Sequence, residues 1–163
     1  MKRVAVLLPA YLGLVVLANL TVAHFGPGST LVVAVVLIGA TLVVRDLLHD
    51  RWQGPQLALR MGAVICVGAV LSYVLNQGAA RIALASGLAF LAAEAVDALV
   101  YQTRHAEPWL IRSNSSNVAS ALVDSAVFVL VAFGGPWSLV LAQWGVKVLG
   151  GMLWSALLQR GRA

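Results

Sequence analysis

The residues with the most chemical potential are ionisable groups set in long apolar runs. The stretch Phe90-Leu91-Ala92-Ala93-Glu94-Ala95-Val96-Asp97-Ala98-Leu99-Val100-Tyr101 places Phe90, Glu94, Asp97 and Tyr101 at i, i+4, i+7 and i+11. On a helix these four share one face. Asn117, Ser120 and Asp124 repeat the pattern at i, i+3 and i+7, with Phe128 one turn further. Gln143 and Lys147 lie four residues apart, with Trp144 between them. Arg45-Asp46-Leu47-Leu48-His49-Asp50-Arg51 carries two i, i+4 pairs, Arg45/His49 and Asp46/Asp50. Carboxylates and amides accept N–H groups, and aromatic rings offer stacking faces. Such a set suits a planar, donor-rich molecule of the amidine or guanine type.

The elements that must hold these residues follow from composition. The chain has 163 residues, 61% hydrophobic and 10% charged, with a mean hydropathy of +0.91. A soluble domain is about 25% charged, so a soluble fold, a disordered chain and a nucleic-acid binder are all poor fits. A spanning helix takes about 20 residues. The apolar runs divide into six: Val4–Ala23, Ser29–Val44, Leu57–Asn76, Arg81–Tyr101, Asn114–Phe133 and Trp137–Leu158. The expected fold is all-α, a single polytopic domain over residues 1–163 with six transmembrane helices. The runs are continuous rather than alternating, which argues against a membrane barrel.

Turn signals punctuate the runs at Gly26-Pro27-Gly28, Gly54-Pro55, Asn76-Gln77-Gly78 and Gly134-Gly135-Pro136. The Ser113–Ser116 run reads as an N-cap for the fifth helix. Met1-Lys2-Arg3 resembles a signal-peptide start, but no clean cleavage site follows, so it reads as the flank of a first span. Lys2, Arg3, Arg45, Arg51, Arg60, Arg104, Arg112, Arg160 and Arg162 all fall on one side, against Arg81 alone on the other. That bias places both termini in the cytoplasm, and it assigns the net charge of +5 to the cytoplasmic rim.

Depth then separates groups that topology explains from those it does not. Glu94 is 13 residues from Arg81, roughly 20 Å along a helix. Asp124 and Lys147 are similarly deep, and a buried ion of this kind costs at least about 2.5–3.5 kcal/mol to insert. Three deep acids oppose Lys147, the expected counter-charge for Asp124 or Glu94. Asn19 stands apart as an interhelical hydrogen-bonder, and Cys66 as a packing residue.

Several chemistries lack their residues. There is no phosphate-binding Gly-x4-Gly-Lys-Ser/Thr, no Gly-x-Ser-x-Gly and no His-Glu-x-x-His. Three scattered His and one Cys make no zinc site. The expectation is a protein that is not an enzyme and needs no metal or cofactor, with the lipid bilayer and a small molecule as partners.

Particular stretches resemble the queuosine-precursor transporter family, also called the VUT or vitamin-uptake family. They are Ala18-Asn19, Arg45 to Trp52, Arg81 to Ser86 with Ala89-Phe90, and above all Trp109-Leu110-Ile111-Arg112-Ser113-Asn114-Ser115-Ser116-Asn117-Val118-Ala119-Ser120 with Asp124-Ser125 and Phe128. The resemblance implies a six-helix inner-membrane importer of 7-deazaguanine bases. It also implies likeness to the substrate-binding subunits of energy-coupling-factor vitamin transporters. Matching positions are Asn19, Asp46, Glu94, Asp97, Arg112, Asn114, Ser116 and Asp124. Combining both lines, the expected substrate site is Asn19, Asp46, Phe90, Glu94, Asp97, Tyr101, Arg112, Asn114, Asn117, Asp124, Gln143, Trp144 and Lys147. Two other readings stay open: a binding subunit served by a separate ATP-hydrolysing module, and a membrane protein whose deep charges only pair helices.

Overall fold

A computed structural model describes residues 4–52, 54–104 and 106–160 of the chain. Lys2, Arg3 and Arg162, and the side chains of Tyr101, Trp109, Ser113 and Arg160, lie outside what it describes. Six long helices account for nearly all of it, and no strand occurs among the described residues. They are α1 (Val4–Phe25), α2 (Pro27–Trp52), α3 (Leu57–Leu75), α4 (Ala80–Thr103), α5 (Trp109–Phe133) and α6 (Trp137–Arg160). Each is long and apolar enough to cross a membrane. In hydrocarbon every backbone group must be satisfied within the chain, and a helix does this locally.

The turns form where their residues demand. Gly26 adopts φ 72°, the left-handed region, and Pro27 opens α2. Asn76 accepts a hydrogen bond from the Gly78 amide at 2.9 Å, an Asx turn between α3 and α4. Gly134 ends α5 at φ 61°.

Two helices depart from expectation. The second span runs past Val44 to Trp52, so Arg45, Asp46 and His49 are helical and buried. Their i, i+4 spacing lets the helix turn Arg45 and His49 together toward α4. The fifth helix begins at Trp109, and the Arg112 amide donates to the Pro108 carbonyl at 3.0 Å. The Ser/Asn run therefore lies inside the helix and does not cap it. Ser115 Oγ donates back to the Arg112 carbonyl at 3.1 Å, the usual resort of a hydroxyl in mid-helix.

The outer surface is apolar, and the interior combines two apolar clusters with buried polar and charged side chains. Val6, Leu59, Val74 and Leu75 are exposed, while Arg45, Asp97, Asp124, Gln143 and Lys147 are buried. Cys66 is exposed on the outer surface, so it does not pack the interior. This arrangement suits lipid, where apolar side chains gain nothing by turning inward. The most extensive packing joins α4 to α5, followed by α2 to α6. α2 meets α6 closely at a π turn, Ala34–Ile38. There a Cβ on Gly150 would lie 2.8 Å from the Val35 carbonyl oxygen, and one on Gly39 would lie 2.9 Å from the Gly150 carbonyl carbon. Only glycines allow this approach of two backbones.

Candidate functional site

Two polar clusters occupy the interior, one above the other. The first surrounds a cavity lined from five helices, by Asn19 on α1, Thr30 on α2, Phe90 on α4, Asp124 and Phe128 on α5, and Gln143 and Lys147 on α6. The π turn of α2 contributes Ala34 and Ile38 to the wall, a common position for such bulges. The cavity has about 360 Å³ of unfilled space, counting its open mouth. The part where a water centre fits is about 30 Å³, room for about two waters.

Lys147 Nζ donates to Asp124 Oδ2 at 2.6 Å, and both side chains are buried. Asp124 is thus the acid that Lys147 serves, of the two expected. The ammonium also lies 5.8 Å from the Phe128 ring centroid, within reach of a cation–π attraction. Gln143 is fully buried one turn from Lys147, and its Nε2 has no hydrogen-bond partner. Asn19 Nδ2 donates to Ser72 Oγ on α3 at 3.0 Å. It is an interhelical hydrogen-bonder, as expected, and it also lines the cavity. Phe90 lies 6.5 Å from the Tyr11 ring, packed with Val15, Leu48 and Met61.

The second cluster lies toward the end of the bundle that carries the termini, where α2, α4 and α5 meet. Arg45 Nη2 donates to Asp97 Oδ1 and to Asn117 Oδ1, each at 2.9 Å. Asp46 Oδ1 is 3.4 Å from the same nitrogen, and Glu94 Oε2 is 4.0 Å from Arg45 Nε. His49 Nε2 lies 2.7 Å from Glu94 Oε1, and His49 Nδ1 lies 3.9 Å from Asp97 Oδ2. Asn117 Nδ2 also reaches Asp46 Oδ2 at 3.4 Å. The partner of Glu94 is therefore His49 rather than Lys147.

This cluster corrects the charge reading. Arg45 is 2% exposed and neutralises carboxylates deep in the bundle, so it is not a rim charge that only sets topology. Asp46, Glu94, Asp97 and Asp124 thus meet Arg45, His49 and Lys147 inside the bundle. Among the described residues no group of three or more His, Cys, Asp or Glu is arranged to hold a metal ion.

The expected site residues divide accordingly. Asn19, Phe90, Asp124, Gln143 and Lys147 converge on the cavity. Asp46, Glu94, Asp97 and Asn117 belong to the cluster below it. Arg112 and Asn114 lie at the start of α5, half-buried and away from the cavity walls. The backbone of Tyr101 continues α4, but its side chain is outside the described residues. Trp144 does not stack at the cavity; its Nε1 donates to the Val118 carbonyl at 3.0 Å and ties α6 to α5. Sequence reasoning did not place Arg45, His49 and Tyr11 in the interior. The i, i+4 spacing of Arg45 and His49 was the available signal, and Tyr11 gave none.

The match to known proteins is at the level of a family. Residues 18–159 match the family model described as "Putative vitamin uptake transporter". No curated protein and no solved structure matches the chain. The matched segment spans both polar clusters and all six helices in whole or in part, and the chain belongs to this vitamin uptake transporter family.

Proposed function

We propose that the protein imports a small, planar, donor-rich base across the inner membrane, and that a 7-deazaguanine precursor of queuosine is its substrate. The observation that carries this is the cavity, where the Lys147-paired carboxylate of Asp124 and the unpartnered amide donor of Gln143 line the same space. Asp124 accepts N–H groups of the base through its other oxygen, with Lys147 bonded to Oδ2. Gln143 Nε2, buried without a partner, donates to a ring carbonyl. An unmade buried hydrogen bond is costly, so a ligand that completes it gains affinity. Phe90 and Phe128 supply apolar faces for the ring. Membership of an uptake family supports transport over catalysis. The Lys/Arg bias supports both termini in the cytoplasm and a single membrane domain.

A bicyclic base is larger than the two or so waters the resting cavity accommodates. Binding therefore requires the helices to separate around it, as transporters that expose a midplane site to each side in turn must do. The test is uptake of labelled 7-deazaguanine by cells that cannot synthesise it, together with ligand-induced shifts in melting temperature across a panel of purines and deazapurines. Selective stabilisation by deazaguanines and uptake lost in Asp124→Asn and Gln143→Ala are expected. Normal uptake in both variants at normal abundance would sink the reading.

A further inference from the structure

The cluster beneath the cavity contains a titratable pair that recognition of a neutral base does not use. We propose that import is coupled to proton entry, with the His49–Glu94 pair as the proton-carrying site. This rests on the import reading above.

The pair is close enough for the task. His49 Nε2 and Glu94 Oε1 are 2.7 Å apart, without the alignment of a hydrogen bond, and the two residues are 8% and 12% exposed. Histidine is the side chain whose ordinary titration falls between pH 5 and 8. Buried His and Glu in spanning helices are typical of proton relays. Protonation turns a neutral imidazole beside a carboxylate into an ion pair without moving a heavy atom far.

The surroundings favour a proton there. On its own helix His49 has Arg45, Asp46 and Asp50 as neighbours; from α4 it meets Glu94 and Asp97. Helix α5 presents neutral Asn117, held by Arg45, with Arg112 further toward its start. Helix α6 brings Lys147, already engaged with Asp124. From α3, Arg60, Cys66 and Tyr73 are exposed. His49 therefore lies between two carboxylates, Glu94 and Asp97, that share the single Arg45 guanidinium.

A link to the cavity also exists. Tyr11 on α1 is fully buried, and its hydroxyl has no hydrogen-bond partner. Its ring lies 6.5 Å from that of Phe90, which lines the cavity. A hydroxyl can donate and accept at once, which suits Tyr11 to pass a proton between the cavity side and the lower cluster. In one cycle the proton enters from the cavity with the base, resides on His49–Glu94, and leaves at the end of the bundle that carries the termini. Only O–H and N–H bonds form and break, and the proton gained on one side is released on the other.

The test uses the purified full chain in liposomes with a trapped pH dye, a clamped membrane potential and labelled 7-deazaguanine outside. Entry of the base should acidify the lumen with about one proton per base, and an acidic exterior should drive accumulation several-fold above the outside concentration. His49→Gln should lose acidification and accumulation, and any remaining downhill entry should no longer respond to pH. A purely structural His49 would reduce downhill entry and accumulation in proportion. Base entry by the wild type without proton entry overturns coupling and leaves import standing. Acidification retained in His49→Gln overturns the assignment to this pair. Folded protein that moves no base overturns import and coupling together. If His49→Gln does not fold, the proton-to-base ratio of the wild type still decides coupling.

Discussion

Lys147 and Asp124 form a buried ion pair across α5 and α6, 2.6 Å from nitrogen to oxygen, at the wall of the central cavity. Each would be expensive to bury alone. Asp124→Leu should therefore cost about 3–5 kcal/mol, because it strands the ammonium. Pairing it with Lys147→Met should restore most of that stability. Melting in detergent reads the recovery, while stabilisation by the base should stay lost in the double variant. A double variant that still responds to the base would remove Asp124 from the site.

Arg45 distributes its guanidinium among Asp97, Asn117, Asp46 and Glu94. Lysine is a compact point charge and cannot reproduce that fork. Arg45→Lys should lower the melting temperature and the transport rate together. Asp97→Ala should be worse, on the order of 3–5 kcal/mol, because a buried cation loses its nearest carboxylate. Abundance and melting curves of the two variants give the order.

The crossing of α2 and α6 depends on the absence of side chains. A Cβ on Gly150 would sit 2.8 Å from the Val35 carbonyl oxygen, which the π turn directs at α6. Gly150→Ala should cost about 1–3 kcal/mol by overpacking. Gly145, on the same helix, has nothing within 4 Å of a built Cβ. Gly145→Ala should be neutral or stabilise by up to about 1 kcal/mol through helix propensity. Equal effects at both positions would refute the close approach.

Asn19 and Ser72 join α1 to α3 through one buried hydrogen bond of 3.0 Å. Such bonds within membranes average about 0.6 kcal/mol and reach about 1.7. Ser72→Ala should therefore be mild, well below the Asp97 and Asp124 variants. A larger loss would mean that Asn19 has a role beyond this contact.

Orientation can be read by labelling. After Cys66→Ala, a cysteine at Gly134 should react with an impermeant maleimide from outside intact cells. A cysteine at Glu107 should react only after the membrane is opened. The reverse pattern would overturn the placement of both termini in the cytoplasm.

Six helices were legible in the chain because length and apolarity alone decide what can span a bilayer, and their bounds agree with the structure to within a few residues at four of the six. The misread ends have one cause each. The second span read as closing near Val44 because the residues after it are charged, yet Arg45 and His49 find partners on α4 and α5 and stay helical inside the bundle. Ser113 to Ser116 looked like a cap, yet Pro108 starts the helix a turn earlier.

Spacing along one helix showed which residues share a face: Glu94 with Asp97, Asp124 with Asn117, Gln143 with Lys147. It could not say which faces meet, because partners such as Arg45 and Asp97 are 52 residues apart in the chain. Side chains reaching from α2 to α4 and α5 gave His49 to Glu94 and left Lys147 to Asp124, while Trp144 bonds the Val118 carbonyl. A deep charge is costly wherever it lies, so its presence can be read from one helix. Its partner is chosen by the neighbouring helices that the tertiary fold brings within 3 Å.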